Sequence, residues 1–237
     1  MKSLSSGWVF SPARASSIAP PNRARRWCCA IPTTFTSATI SNRPTICFGR
    51  WVPPCWAAQR AIKVSTAEWL EQQTTPLAGV FITHIHLDHV MGLPDVPANT
   101  PIYTGPGEPA AKQFLNLFTR GSIDRQFEGK GPLREWAFAG DAGGRFEGVV
   151  DVFGDGSVWA LHVPGHTPGS TAFLVRTPDG PHLLIGDVTH TRWGWENGVE
   201  PGSFSHDPPA SAVSLEKLKA LADEVEGIEV HPGHQSL

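Results

Sequence analysis

Apolar and polar positions change rhythm several times along this chain, and the changes mark out its elements. Residues 77–83, Leu-Ala-Gly-Val-Phe-Ile-Thr, form a short and almost unbroken apolar run, the pattern of a strand buried on both faces. Just upstream, Ser65 and Glu68 have capping-box spacing and good helix formers follow over 67–73, so a short helix is expected to stop before Pro76. Residues 101–104 read as another short strand. Ala110, Phe114, Leu117 and Phe118 recur at helical intervals and predict a helix over 106–118, whereas 119–147 carry little pattern. Farther on, 149–153 and 158–163 flank the turn Gly154-Asp155-Gly156-Ser157, and 171–176 and 182–185 flank Pro178-Asp179-Gly180, so two hairpins are expected. From 211 to 226, Val213, Leu215, Leu218, Leu221, Ala222 and Val225 keep helical spacing up to Gly227, a natural C-terminal cap, and 228–231 follow as a strand. Strand runs interspersed with helices predict an α/β arrangement of two packed sheets covered by helices.

Composition sharpens this picture at one place. The 237 residues are 40% apolar, enough for one substantial core, and their formal net charge of -3 gives no general attraction to nucleic acid or an anionic membrane. No apolar run approaches the roughly 18 residues of a bilayer span. A cytoplasmic protein acting on a small molecule is the expectation, and the oligomeric state leaves no trace in the sequence. The average hides a break near residue 60: eight of the 19 Lys and Arg and all four cysteines precede it, with no acidic residue and no histidine. That leaves 11 basic residues against 22 acidic ones in the remainder, together with all ten histidines. The chain therefore divides into a basic leader at 1–60 and a catalytic domain at 61–237.

Arg- and Ser-rich, acid-free text suits a transit peptide, but the leader's length and its scattered Trp and Pro do not, and no apolar stretch of about 7 to 15 residues supports secretion. Such text is also what a shifted frame of a GC-rich gene encodes, which is the reading adopted. Cys28, Cys29, Cys47 and Cys55 contain no C-x-x-C and have no histidine nearby, so they receive neither a zinc nor a disulfide role.

Chemistry is concentrated at Thr83-His84-Ile85-His86-Leu87-Asp88-His89, where four potential ligands follow a buried strand within six residues. A lone histidine is more often structural than functional, but this density of imidazole and carboxylate in a strand-end loop is costly unless cations balance it. Imidazole with carboxylate suits zinc, whose catalytic sites keep an open position for water. His231 reads as a strand residue near the site, and His162 and His182 as structural.

The H-x-H-x-D-H pattern at His84, His86, Asp88 and His89 resembles the signature of the metallo-β-lactamase superfamily. Gly165-His166-Thr167-Pro168-Gly169-Ser170, Leu183-Leu184-Ile185-Gly186-Asp187 and Pro232-Gly233-His234 resemble its later motifs, in the same order. The resemblance implies a four-layer αββα sandwich and two zinc ions, with iron or manganese as other occupants. It gives one metal to His84, His86 and His166, the other to Asp88, His89 and His234, and makes Asp187 the bridge. It further implies that a hydroxide shared by the metals attacks the substrate, with Asp88 delivering a proton.

Asp187 is unlike the Cys or Ser of many true β-lactamases, and the chain lacks the Gly-Cys-Gly-Arg segment typical of glyoxalase II and persulfide dioxygenases. The lactonase-like group, which includes acyl-homoserine lactonases, is the most similar branch, and lactone or ester hydrolysis is the expectation. That group places a tyrosine three residues after the bridging Asp, where this chain has His190, either a hydrogen-bond donor to substrate or a loop residue. Trp193 and Trp195 either line an acyl pocket or pack beneath a loop. A mononuclear iron dioxygenase using His84, His166 and Asp187, a phosphoesterase, a β-lactamase-like hydrolase and an inactive relic are the alternatives. The last is motivated by the leader: the family enters on β-hairpins and an Asp-Thr-Gly strand end, and a foreign leader would leave one sheet incomplete.

Overall fold

The computed structural model describes residues 26–29, 65–111 and 114–234, with the backbone alone for 26–29 and 114–118. Two sheets form the centre. The first runs β1 (Arg26–Cys29), β2 (Leu77–Phe81), β3 (Ile102–Thr104) and β4 (Arg134–Glu135) in that spatial order, every pair parallel. The second runs β5 (Val149–Asp151), β6 (Val158–His162), β7 (Thr171–Thr177), β8 (Gly180–Gly186) and β9 (Glu229–Pro232). Its pairs are antiparallel except β8 with β9, which is parallel. Apart from the strand Arg26–Cys29, the reading of 1–60 as a separate leader lies outside the described residues, as do the side chains of its four cysteines.

Alternation along the strands explains the layering. Phe81, Tyr103 and Trp136 point inward from the first sheet and meet Val158, Ala160, Phe173 and Leu184 of the second. Phe81 is fully buried, with its ring 6.0 Å from Phe173 and 5.1 Å from Trp136, so the contact between sheets is largely aromatic. On the outer face of the first sheet, Val80, Ile82 and Ile102 pack with Val90, Leu93, Val96 and Ile123. Ile123 belongs to α3 (Phe114–Gln126); α1 is Thr66–Glu71 and α2 is Leu87–Val90. The outer face of the second sheet, through Leu161, Leu174, Leu183 and Ile185, buries Leu215, Leu218 and Leu221 of α5 (Pro208–Glu224). A short α4 (Arg192–Asn197) precedes it. Helix, sheet, sheet and helix make the αββα sandwich. Among the described residues no helix is long and apolar enough to cross a membrane.

Both hairpins and the capping box at Ser65 form as the pattern requires, with Glu68 N–H donating to Ser65 Oγ at 3.1 Å and Ser65 N–H to Glu68 Oε2 at 2.8 Å. One helix is displaced. Instead of 106–118, the chain makes a single 3-10 turn at Glu108–Ala110 and begins α3 at Phe114, extending into text that carried little pattern. Gly107 at φ 79 and Pro109 in the turn shape this entry, and the helix interior starts only beyond them. The C-terminal helix starts earlier than 211 because Asp207 caps it, its carboxylate accepting from Ala210 N–H at 3.0 Å, with Pro208 in the first turn. Helix α4 has no apolar period; Thr191 caps it through Gly194 N–H, and Gly198 ends it in the left-handed conformation.

Truncating the residue that joins the sheets is expected to be severe. Phe173→Ala should cost about 3–5 kcal/mol, read as a fall in the urea midpoint at unchanged slope.

Candidate metal centre

The loops that carry the motifs all leave the same end of the two sheets, and backbone bonds lock them together. Thr171 N–H, at the start of β7, donates to Thr83 O just past the end of β2 at 2.9 Å, which joins the two sheets beneath the site. Gly233 N–H donates to Gly186 O at 2.8 Å, and Asp207 N–H to Gly165 O at 2.9 Å. Two of these approaches require glycine. A Cβ on Gly233 would lie 1.9 Å from Asp187 Oδ1, and one on Gly165, already at φ 135, would lie 2.1 Å from the backbone nitrogen of Ser211.

Glu108 was not anticipated from the sequence. It is 3% exposed, and its two carboxylate oxygens accept from Ile85 N–H at 2.8 Å and Gly169 N–H at 2.9 Å. One side chain thus spans the loop of His84 and His86 and the loop of His166. Burial pushes its pKa up, although Thr167 and the two backbone donors oppose that. The only sequence signal was an acidic residue between Gly107 and Pro109, which reads as surface turn.

All seven expected ligands come together. His84 Nε2 and His166 Nε2 each lie 3.0 Å from His86 Nδ1. Asp187 Oδ2 lies 3.9 Å from His84 Nε2 and 3.7 Å from His166 Nε2 on one side, and 3.2 Å from His89 Nε2 and 2.9 Å from His234 Nε2 on the other. Asp88 completes the second set, its Oδ2 3.4 Å from His234 Nε2 and 3.7 Å from His89 Nε2, with its side chain half exposed. Two of the resulting groups, His84, His86, His166 and Asp187 in one and Asp88, His89 and His234 in the other, are each compact enough to surround an ion, and Asp187, His190 and His234 form a third that overlaps both. His190 joins them from the rim: its Nε2 is 3.2 Å from Asp187 Oδ2, and its ring lies 4.6 Å from that of His234 and 5.9 Å from that of Phe204.

The electrostatics follow from burial. Desolvation and the neighbouring imidazoles hold His84 well below the usual histidine range, and burial takes His166 down to about 3 despite Asp187. Burial also opposes a charge on His89, but Asp187 and Asp88 outweigh it and raise that pKa. Asp187 is held well below the ordinary carboxylate range: burial works the other way, and the charge of His89 with the bonds from His190, His234 and His89 prevails. Imidazole nitrogens facing one another across 3.0 Å are what a cation site needs. Asp187 Oδ1 and His89 Nδ1 are buried without a hydrogen-bond partner. These observations fit divalent cations with mixed imidazole and carboxylate ligands. Thr83 Oγ1, 3.2 Å from His84 Nδ1, can accept from that nitrogen and so turn the Nε2 lone pair toward the site.

The remaining residues separate. His162 is structural, its Nε2 3.0 Å from Pro168 O and its ring stacked on Phe138. Trp195 packs partly buried against the helix side of the second sheet, so it supports the core, while Trp193 is exposed. His231 pairs with His182 on the sheet.

Residues 54–234 match the family model described as the metallo-beta-lactamase superfamily. An N-acyl homoserine lactonase, AttM, of Azorhizobium caulinodans is 32% identical over 159 residues, which cover 64% of this chain and 56% of that protein. A gamma-lactamase, FDB1, of Fusarium pseudograminearum is 32% identical over 134 residues, covering 50% and 30%. The chain spans about half the length of the curated lactonases it matches. A crystal structure of a mutant of B. thuringiensis AiiA with N-decanoyl-L-homoserine bound superposes with a TM-score of 0.50 at 24% identity, covering 67% of this chain and 56% of that one, a likeness of fold.

Two outcomes are expected. Glu108→Ala should weaken metal retention by about 10- to 100-fold, read by competition with a chelator, because both ligand loops lose their common anchor. In the metal-free protein, lowered pKa values at His84 and His166 mean that the unfolded chain takes up protons first as pH falls below 6.5. Stability should therefore fall between pH 6.5 and about 3, by up to about 1.4 kcal/mol per pH unit for each group. The raised His89 acts oppositely above that window: its contribution is fully present below 6.5 and is lost as pH rises through its own pKa, so it adds no slope between 6.5 and about 3. Urea midpoints in chelator at pH 7.5 and 5 check the sign.

Proposed function

This chain belongs to the metallo-β-lactamase superfamily, and from that membership we propose a dizinc hydrolase that opens a lactone or ester carrying an apolar acyl group. The observation that carries this reading is the convergence of two ligand sets on one buried carboxylate, Asp187, rather than a single three-residue cluster. Bound there, two divalent cations supply a Lewis acid for the carbonyl oxygen and lower the pKa of water from about 15.7 to about 7.

The residues of this chain have distinct tasks in that reaction. His84, His86 and His166 would hold one ion and Asp88, His89 and His234 the other, with Asp187 lying between the two sets. Because two carboxylates face two divalent cations, the site keeps a positive balance, which favours a developing oxyanion and a carboxylate product. Asp88, half exposed and 3.4 Å from His234, stands where a proton can be passed to the leaving oxygen. His190 is the hydrogen-bond donor to the substrate carbonyl in place of a tyrosine, and the exposed ring of Phe204 beside it offers apolar contact for an acyl chain. A mononuclear iron dioxygenase with His84, His166 and Asp187 leaves the second set of ligands without a task.

The test is a metal count together with a panel of lactone, aryl ester, β-lactam, thioester and phosphodiester substrates. Two equivalents of zinc at this centre and preferential lactone or ester turnover are expected, and His86→Ala should lose metal from it together with turnover; undiminished activity in that variant would sink the reading. His190→Ala should lower kcat by about 100- to 1,000-fold if the imidazole donates to the carbonyl, and change only KM if it packs against Phe204.

A further inference from the structure

A second group of metal-type ligands stands on the second sheet, away from the loops of the candidate centre. His182 on β8 is paired in register with Glu229 on β9, and His231 lies two residues farther along β9, opposite Leu184. Alternate residues of a strand share a face, so the parallel register brings all three side chains to one face, that of Leu184, near the edge of the sheet. His182 Nδ1 is 3.1 Å from His231 Nε2 and 3.4 Å from Glu229 Oε2, and His231 Nε2 is 3.7 Å from that same oxygen.

Hydrogen bonding explains only part of this. One neutral imidazole can donate to the other at 3.1 Å, but 3.4 and 3.7 Å are long for a nitrogen–oxygen hydrogen bond, whose usual range is about 2.7–3.2 Å. For a tetrahedral zinc with bonds of about 2.0–2.1 Å the donors sit about 3.4 Å apart, the middle of the three observed separations. The donor set, two imidazoles and one carboxylate with side chains 25%, 33% and 68% exposed, leaves room for water at a fourth position.

We propose that His182, Glu229 and His231 form a separate binding site for a divalent transition-metal ion of the zinc class, one that clamps the edge strand β9 to β8. Selection for zinc, nickel or copper over magnesium and calcium follows from the two imidazoles. The strands hold the ligands in place before the ion arrives, because backbone pairing between β8 and β9 fixes their register. The site binds independently of the reaction assigned to the main centre.

The experiment is equilibrium dialysis of the full chain against buffered zinc, with metal measured per chain for the parent, Glu229→Gln and His182→Ala. The exposed Glu229 can be changed without disturbing packing, which guards against a variant that merely fails to fold. Parent protein should bind one equivalent more than either variant, and added zinc should raise its thermal midpoint by more than that of Glu229→Gln. Magnesium should produce neither effect. Equal zinc content in parent and both variants, which would leave only a hydrogen-bonded histidine pair, overturns the proposal. Substrate turnover that persists in Glu229→Gln while its zinc content drops by one equivalent supports it and leaves the reading of the main centre intact. A parent that lacks turnover but still loses one equivalent in both variants sinks that reading alone.

Discussion

A buried carboxylate surrounded by imidazoles governs the shape of this molecule's working end. Asp187 is 4% exposed, and the ring nitrogens of His84, His89, His166, His190 and His234 lie between 2.9 and 3.9 Å of one of its oxygens. Burial drives His84 and His166 toward their neutral forms, so they contribute lone pairs rather than positive charge. An anion and a set of lone pairs directed at common points form a mutually repelling arrangement unless cations stand between them. The sandwich holds that arrangement in place by backbone contacts that do not depend on the ligands themselves.

Those contacts are economical. Thr171 N–H bound to Thr83 O connects the sheets just below the ligands, and the aromatic contact of Phe81 with Phe173 lies deeper in the same seam. Glu108 then fixes the spacing of two ligand loops with a single carboxylate. Because each of these partners is buried, removing one leaves an unsatisfied polar group or a cavity, and the loss is transmitted to ligands that the altered residue never touches.

Much of this was legible in the sequence, for reasons that can be stated. Strand 77–83 and both hairpins were visible because burial on two faces, or a Gly-containing turn between alternating runs, leaves a local imprint. The converging histidines and carboxylates were visible because four motifs fall in order between His84 and His234. Glu108 was not, since its partners are backbone N–H groups at Ile85 and Gly169, which any sequence supplies. Helix α4 escaped for a related reason: Thr191 and Gly198 define it by capping, while its Trp and Gly residues show no apolar stripe. The start of α3 differs because Ala110, the first member of its apolar set, falls in the 3-10 turn with Pro109, where backbone geometry rather than side-chain pattern sets the boundary.

The last of the converging histidines follows an edge strand. Among the described residues β9 is an edge strand of four residues paired with β8 alone, and it ends at Pro232 two residues before His234. Beyond the strand, Gly233 N–H on Gly186 O is the bond that brings His234 over Asp187, and a side chain at Gly233 would collide with that carboxylate. The other imidazoles are placed by loops fastened to both sheets, so any slip of β9 alters the Asp88, His89 and His234 set while leaving the His84, His86 and His166 set in place. Placement of His234 therefore runs through the pairing of β8 with β9, whereas that of His84, His86 and His166 runs through Glu108 and the bond from Thr171 to Thr83.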